Sequence, residues 1–252
     1  MRRDATGAGG AGQDAVDAEL ESALAAAASA PLAQSLQRYF PAPVQALGVS
    51  NTEVVKIAAA AFARHRGVTA EDWLARAERF ARSHTHHEYF ILASALVAKV
   101  ARGLDDEGRL LQRMQAWLEN DVSNWAQCDD LCIKPLYIYL KQRPQLLERI
   151  YAWGESASPW CRRASNVALV KFAGRSEHVD LARVFANCER LLGDGDPYVQ
   201  KGIGWMLKVA SQYELQPVQD FLRQHLARME RPTLRYAIEK MPREVQRSFT
   251  QA

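Results

Sequence analysis

The chain has 252 residues, of which 48% are hydrophobic and 24% are charged, and both values are ordinary for a globular protein. A chain of this length buries a substantial core, so the fold needs no disulfide or structural metal to hold it. No run of 18 apolar residues is present, which excludes a helix that spans a membrane. We expect a monomeric cytoplasmic protein that uses no cofactor.

The net charge of +3 is distributed unevenly along the chain. Residues 161–252 contain 15 Lys+Arg against 10 Asp+Glu, and in the whole chain arginine outnumbers lysine by 24 to 8. The planar guanidinium group suits bidentate contacts with phosphate. The pattern is compatible with a nucleic-acid partner and equally with the solvated helix faces of an arginine-rich protein.

Helical periodicity dominates from the N-terminus onward. Residues 1–15 are rich in glycine and alanine and predict a disordered tail. Leu20 and Leu24 then share one face of a first helix, and later helical segments are separated by short breaks that carry proline or glycine. Strand signals are scarce. We therefore predict an all-α chain with a single helical-repeat domain over residues 16–252.

Candidate metal ligands do not form a convincing site. The histidines His84, His86 and His87 offer only one further ligand on a shared helix face, Glu88, so we assign them to a loop or a helix start. The four cysteines lie outside any CxxC pair or zinc-type spacing, which favours reduced thiols; they are Cys128, Cys132, Cys161 and Cys188. The sequence therefore predicts no metal.

Trp125 and Asp129 are the first pair that suggests chemistry. Their spacing of four places them on one face of a helix. A carboxylate beside an indole suits the stabilisation of a cationic sugar. A solvated carboxylate next to a core tryptophan explains the same pattern.

An internal repeat follows. Residues 158–164 match residues 196–202 at an offset of 38, and a weaker copy begins 35 residues later, at Arg231. In the first two copies Ser158 or Asp196 precedes a proline, which is typical of an N-cap followed by the first helical residue. Such periods indicate an α-solenoid of the HEAT or armadillo kind, with one concave face. Basic residues near the helix starts would make that face basic; they are Arg162, Arg163, Lys201 and Arg235.

Trp205 follows two glycines inside a predicted helix. Gly202 and Gly204 each lower helix stability by about 1 kcal/mol relative to alanine. Two such residues beside an indole indicate the close approach of a neighbouring helix or of a ligand.

Four segments together resemble the AlkD-type DNA alkylation repair family, whose members are DNA glycosylases built from HEAT-like repeats. They are the Trp125-x-x-x-Asp129 motif and residues 160–164, 199–205 and 233–238, and the resemblance extends over about residues 35–245. It implies an enzyme that hydrolyses the N-glycosidic bond of N3- or N7-alkylated purines in double-stranded DNA. Recognition through the backbone would also admit bulky adducts.

The resemblance also implies roles for individual residues. Asp129 would be the catalytic carboxylate, with Trp125 and Trp205 flanking the damaged nucleotide. Arg163 would contact a phosphate, so that its replacement by alanine would flatten the salt dependence of DNA binding. We expect Lys201 and Arg235 to bind phosphates on the same face.

Two positions beside Asp129 depart from part of the family. Asn124 stands where some relatives carry a second tryptophan, and Ala126 stands where some carry an aspartate. We therefore expect the contact with the lesion, and the preference among lesions, to depend on these two positions.

The alternative is a non-catalytic helical-repeat scaffold that binds DNA or protein, since fold alone does not decide function. The two hypotheses differ in what they require of Asp129. Convergence of Asp129 and both tryptophans on a basic groove would favour the enzyme. An Asp129 buried in a salt bridge, or facing the convex side, would favour the scaffold.

Overall fold

The described part of the chain is built from helices. The computed structural model describes residues 8–83, 85–174 and 179–250, and none of these residues forms a β-strand. The all-α prediction is therefore confirmed. Within the same ranges, no helix has the length and apolar character needed to cross a membrane. Residues 1–7 and His84 lie outside the described residues.

Residues up to Asp105 form one compact unit. Leu20 and Leu24 are fully buried, which confirms that they share the inner face of the first helix. That helix begins at Ala8, inside the stretch of residues 1–15 for which the sequence predicts disorder. The helices are α1 (Ala8–Ala26), α2 (Ala30–Leu36), α3 (Asn51–Arg64), α4 (Ala70–Ser83) and α5 (His87–Val100).

The start of α5 contains His86 and His87, two of the three histidines considered as metal ligands. His86 is the residue before α5 and His87 is its first residue, so both lie at a helix start as predicted. The Glu88 carboxylate, the one expected partner on that face, accepts backbone N–H groups from Leu47 at 2.9 Å and from Gly48 at 2.7 Å. Glu88 therefore fixes the turn before α3.

Residues from Asp106 onward form a second compact unit. A π-helical segment, Cys132–Leu136, joins two of its helices without a break. The helices are α6 (Arg109–Asn120), α7 (Trp125–Leu131), α8 (Tyr137–Leu140), α9 (Leu147–Ala152), α10 (Pro159–Val167), α11 (Leu181–Leu191), α12 (Pro197–Ala210), α13 (Leu215–His225), α14 (Arg231–Ile238) and α15 (Arg243–Thr250).

Four helices of the second unit pack side by side as a row. Helix α7 lies against α10, α10 lies against α12, and α12 lies against α14, while α6, α11 and α13 also contact members of this row. This repeated pairing of helices confirms the predicted helical-repeat architecture. The basic concave face and the extent of a single domain, residues 16–252, stay predictions.

Helices α10 and α12 begin where the sequence predicts, but only one of the two predicted N-cap side chains accepts hydrogen bonds from its helix. Pro159 and Pro197 are the first residues of α10 and α12. The Asp196 carboxylate accepts the Tyr198 N–H at 2.8 Å and the Val199 N–H at 3.1 Å, as an N-cap should. The Ser158 hydroxyl makes no such bond, because it donates instead to the Leu118 carbonyl of α6 at 2.8 Å.

Candidate active site

One position repeats along the row of four helices. Each helix starts directly after its cap residue, and the fifth residue of each carries a charge. Counted from the first residues Trp125, Pro159, Pro197 and Arg231, the fifth residues are Asp129, Arg163, Lys201 and Arg235. Counted from the helix starts, the four charged residues chosen from the sequence therefore occupy the same position, while the repeat offsets of 38 and 35 align Arg235 with Arg162.

Asp129 and Arg163 form a bidentate ion pair between α7 and α10. Arg163 Nε donates to Asp129 Oδ1 at 2.8 Å, and Arg163 Nη2 donates to Asp129 Oδ2 at 2.8 Å. Both residues are buried, with 8% of Asp129 and 4% of Arg163 exposed. Paired hydrogen bonds of this kind are about twice as strong as neutral ones and fix the carboxylate plane. The pair is therefore a rigid element of the interface between two repeats.

The remaining end of the Arg163 guanidinium is also occupied. Nη1 donates to the Tyr198 carbonyl in the first turn of α12. A guanidinium bonded to Asp129 and Tyr198, and almost fully buried, is poorly placed to receive a phosphate. This geometry argues against the phosphate contact predicted for Arg163 and indicates that Arg163 acts on Asp129 instead.

Burial and charge act in opposite directions on the Asp129 carboxyl. Burial raises the pKa of Asp129 above its ordinary value, and the hydrogen bonds and positive charge of Arg163 counteract this rise. Burial lowers the pKa of Arg163, while the hydrogen bonds and charge of Asp129, together with Cys128 and Cys132, raise it, so its net shift is upward. Arg163 stays protonated, and Asp129 is the member of the pair whose charge responds to acid.

The two predicted tryptophans are both partly exposed. Trp125 is the first residue of α7, four before Asp129, and Trp205 lies on α12 four residues after Lys201. Each indole therefore shares a helix face with one of the fifth-position residues. Part of each of these side chains therefore reaches the surface of the protein.

A second aromatic pair, Trp160 and Tyr198, occupies the second position of α10 and α12. Their ring centroids are 5.3 Å apart, and Lys201 Nζ lies 5.5 Å from the centroid of the Tyr198 ring. Tyr198 was not singled out as a functional residue from the sequence. The offset of 38 that aligns it with Trp160 is the sequence signal that could have identified it.

The basic side chains along the row differ in whether they are already bound to a carboxylate. Lys201 and Arg235 are exposed, and neither has a carboxylate at ion-pair distance within residues 8–83, 85–174 and 179–250. Arg162, by contrast, donates from Nε to Asp194 at 2.5 Å and from Nη1 to the Ala157 carbonyl at 2.8 Å. Lys201 and Arg235 are therefore the fifth-position cations that are open to an anion.

The departures at positions 124 and 126 are of different kinds. Asn124 Oδ1 accepts the Ala126 N–H and the Gln127 N–H, each at 3.1 Å, so Asn124 is the N-cap of α7. Only 8% of Asn124 is exposed, and its main contact is therefore with the helix that carries Asp129. Ala126 is partly exposed and offers no polar group to a lesion.

The four cysteines are all buried and free. Burial raises the pKa of the Cys161 thiol to about 11 and that of the Cys188 thiol to about 12, and it also raises the pKa of Cys132. Among the described residues, no group of three or more His, Cys, Asp or Glu side chains is arranged to hold a metal ion.

Comparison with known families gives a match over most of the chain. Residues 20–241 match the model of a family described as DNA alkylation repair enzyme. The chain belongs to this family. The resemblance found in the sequence motifs is therefore confirmed. A search of curated proteins returns no significant match.

Solved structures with the same fold include proteins of the DNA alkylation repair type. A predicted DNA alkylation repair enzyme from Enterococcus faecalis superposes with a TM-score of 0.75 at 15% identity, over 86% of this chain and 97% of that chain. AlkD2 from Streptococcus mutans gives a TM-score of 0.57 at 16% identity, over 82% and 96% of the two chains. At these identities the likeness establishes the fold.

Proposed function

We propose that this member of the DNA alkylation repair family is a DNA glycosylase that hydrolyses the N-glycosidic bond of N3- or N7-alkylated purines in duplex DNA. The proposal rests on the family match over residues 20–241 and on a face of α7 that carries both the Asp129 carboxylate and the partly exposed Trp125 indole. Family membership supports the broader role in alkylation repair.

The reaction replaces one bond at the sugar carbon by another. Alkylation makes the purine cationic, so the base leaves with the electrons of the C1′–N9 bond and needs no strong acid. A water oxygen then bonds to C1′ and loses a proton to the carboxylate or to solvent. An ionised Asp129 stabilises the positive charge that develops on the sugar, as carboxylates do in glycoside hydrolysis.

The ion pair leaves Asp129 able to act. A carboxylate has about four lone-pair sites, and Arg163 occupies one on each oxygen. The remaining sites can face the sugar and the water. Arg163 counteracts the rise in pKa that burial causes, so it favours the ionised form that the reaction needs. We assign Arg163 as the residue that orients and ionises Asp129.

The indoles and the exposed cations supply binding. Trp125 and Trp205 offer ring faces that attract a cationic base or sugar, and each cation–π contact is worth roughly 0.5–2 kcal/mol. Lys201 and Arg235 are each the fifth residue of one of two neighbouring helices and would contact successive parts of the DNA backbone. Recognition through backbone and shape would tolerate bulky adducts as well as methyl groups.

A non-catalytic helical repeat that binds DNA is the second candidate. The observation that favours it is the burial of Asp129 in a salt bridge, which was the outcome expected of a scaffold. A bidentate arginine is found in both structural and catalytic carboxylate sites, so the pair alone does not separate the two functions. Activity measurements on Asp129 variants separate them.

The decisive experiment is a base-release assay on duplex DNA that contains 7-methylguanine or 3-methyladenine. The native chain should release the alkylated base, and Asp129→Asn should abolish release while DNA binding stays nearly intact. The folded fraction of each variant is measured first, because the substitution removes the charge that pairs with Arg163. A folded Asp129→Asn variant that still excises would disprove the role of Asp129. A native chain that binds DNA without release would support the scaffold.

A further inference from the structure

The first turns of α12 contact Arg163 in two places. The Tyr198 carbonyl accepts the Nη1 hydrogen bond, and one turn later Gly202, which has no side chain, packs closely against Arg163. A Cβ atom at position 202 would lie 3.3 Å from Arg163 Cγ and 3.4 Å from the Arg163 carbonyl oxygen. The first distance is shorter than most van der Waals contacts of a Cβ atom and the second lies at the lower limit of ordinary contact, so a side chain at 202 requires Arg163 to shift by a few tenths of an ångström.

Gly204 lies on the same helix and faces a different neighbour. Its Cβ would lie 3.0 Å from Tyr236 Cβ and 3.1 Å from the Thr233 carbonyl oxygen, both on α14. The crowding at 204 is the more severe of the two, and its nearest atoms belong to neither Asp129 nor Arg163. The two glycines therefore form a matched pair, buried on one helix, with opposite neighbours.

We propose that Gly202 is a positioning residue for the Asp129–Arg163 pair, because its missing side chain lets Arg163 reach Asp129 and the Tyr198 carbonyl at the same time. This inference rests on the proposed glycosylase function. Three nitrogens of the guanidinium are engaged, so the group has no free direction in which to absorb a shift of its stem. A displacement of a few tenths of an ångström at Cγ therefore reaches the carboxylate.

Simple helix packing makes the opposite prediction. Alanine is a better helix former than glycine, and the milder crowding at 202 makes Gly202→Ala the less destabilising of the two variants. If both glycines serve packing alone, Gly204→Ala should have the larger effect on every property. If Gly202 positions the pair, Gly204→Ala should still be the less stable of the two variants, but Gly202→Ala should be the less active one.

The experiment compares Gly202→Ala, Gly204→Ala and Arg163→Met with the native chain in the full-length protein. The readouts are the thermal midpoint, kcat for base release at saturating alkylated duplex, and the midpoint of the acid limb of kcat. Gly202→Ala should lower kcat roughly 3- to 10-fold, since small misplacements in a site carry large rate effects. Its acid limb should move to higher pH, because a displaced Arg163 counteracts the raised pKa of Asp129 less well.

The other variants calibrate this result. Arg163→Met should move the acid limb in the same direction and further. Gly204→Ala should keep the native kcat and acid limb while its thermal midpoint falls more than that of Gly202→Ala.

An unmoved acid limb in Gly202→Ala, or an equal shift in Gly204→Ala, would overturn the positioning role. Release that persists in folded Asp129→Asn is a separate result, which would overturn the proposed function.

Discussion

Single residues decide the charge of the candidate site. The Asp129 and Arg163 side chains are buried together, and removing one charge of a buried pair leaves the other without a partner. Such a loss destabilises a protein by about 3–5 kcal/mol, and replacing the second charge as well recovers part of that loss. The pair therefore gives a stability signature that is independent of any activity.

We predict that Asp129→Asn and Arg163→Met each lower the free energy of unfolding, and that the double variant loses less than the sum of the two. The coupling should amount to about 1–3 kcal/mol, the upper part of the range for side chains in contact. Urea unfolding of the four proteins measures it. Asp129→Asn and the double variant should lack base release, whereas Arg163→Met should keep a reduced rate. Stability recovered in the double variant without recovered release therefore separates folding from catalysis. Strictly additive losses would contradict a coupled buried pair.

At the residue scale, the sequence predicted which residues share a helix face better than it predicted what each residue contacts. The i, i+4 spacing of Trp125 and Asp129 was enough to place them on one helix face. The environment of Arg163 depends on a contact with Asp129, 34 residues earlier in the chain, and on a carbonyl of α12. Local spacing does not encode contacts of this range, so an arginine assigned to a phosphate lies instead against the carboxylate.

At the scale of elements, α7 depends on its cap. It has seven residues before the π-helical segment begins, and a helix this short gains little from internal hydrogen bonds alone. Asn124 satisfies two of its first N–H groups. The cap therefore fixes the start of the helix that carries Asp129.

We predict that Asn124→Ala lowers the free energy of unfolding by about 1 kcal/mol, the usual cost of a lost N-cap. Asn124→Asp should retain most of the native stability, because its carboxylate accepts the same two N–H groups. Thermal and urea unfolding of the two variants provide the measurement, with Asp196→Ala on α12 as a second cap of the same kind. Equal stability of Asn124→Ala and the native chain would show that the cap contributes nothing.

Helix starts were predictable where proline follows a cap residue, as at Pro159 and Pro197. The π-helical segment was not. Pro135 lies inside it, and a proline within a helix ordinarily breaks or kinks it. Here the wider π turn carries the chain past the missing N–H without a break, which depends on packing that no local pattern reveals.

For the whole molecule, the question is how DNA would be held. Lys201 and Arg235 are the exposed fifth-position cations, and Arg163 is buried at the same register. An exposed cation that contacts phosphate releases a counterion, and the slope of log K against log salt changes by about 0.9 for each contact.

We predict that Lys201→Ala and Arg235→Ala each reduce the magnitude of the salt slope by about 1, and that the double variant reduces it by about 2. Binding to unmodified duplex of any sequence should weaken similarly. Titrations over a range of salt concentrations measure the slope. Arg223→Ala is the matched control, because Arg223 is exposed on α13 but already paired with Asp220 at 3.2 Å. An unchanged slope in both single variants would exclude these two contacts.

The overall architecture was predictable because the structural repeat is accompanied by a repeat in the sequence. An offset of 38 between α10 and α12 aligns caps, prolines and charged positions, and the structure places both helices in one row. The evidence for repetition came from the second unit, since no comparable offset was found in the first 105 residues. There the all-α prediction rested on periodicity alone.

The burial of the four cysteines has a consequence for how such a protein survives its surroundings. Reagents that alkylate purines also attack sulfur, and the thiolate is the form that reacts. With pKa values of about 11 for Cys161 and about 12 for Cys188, these thiols are protonated at neutral pH, and all four lie out of contact with water. We therefore expect the cysteines of this protein to react slowly with the alkylating agents that damage DNA.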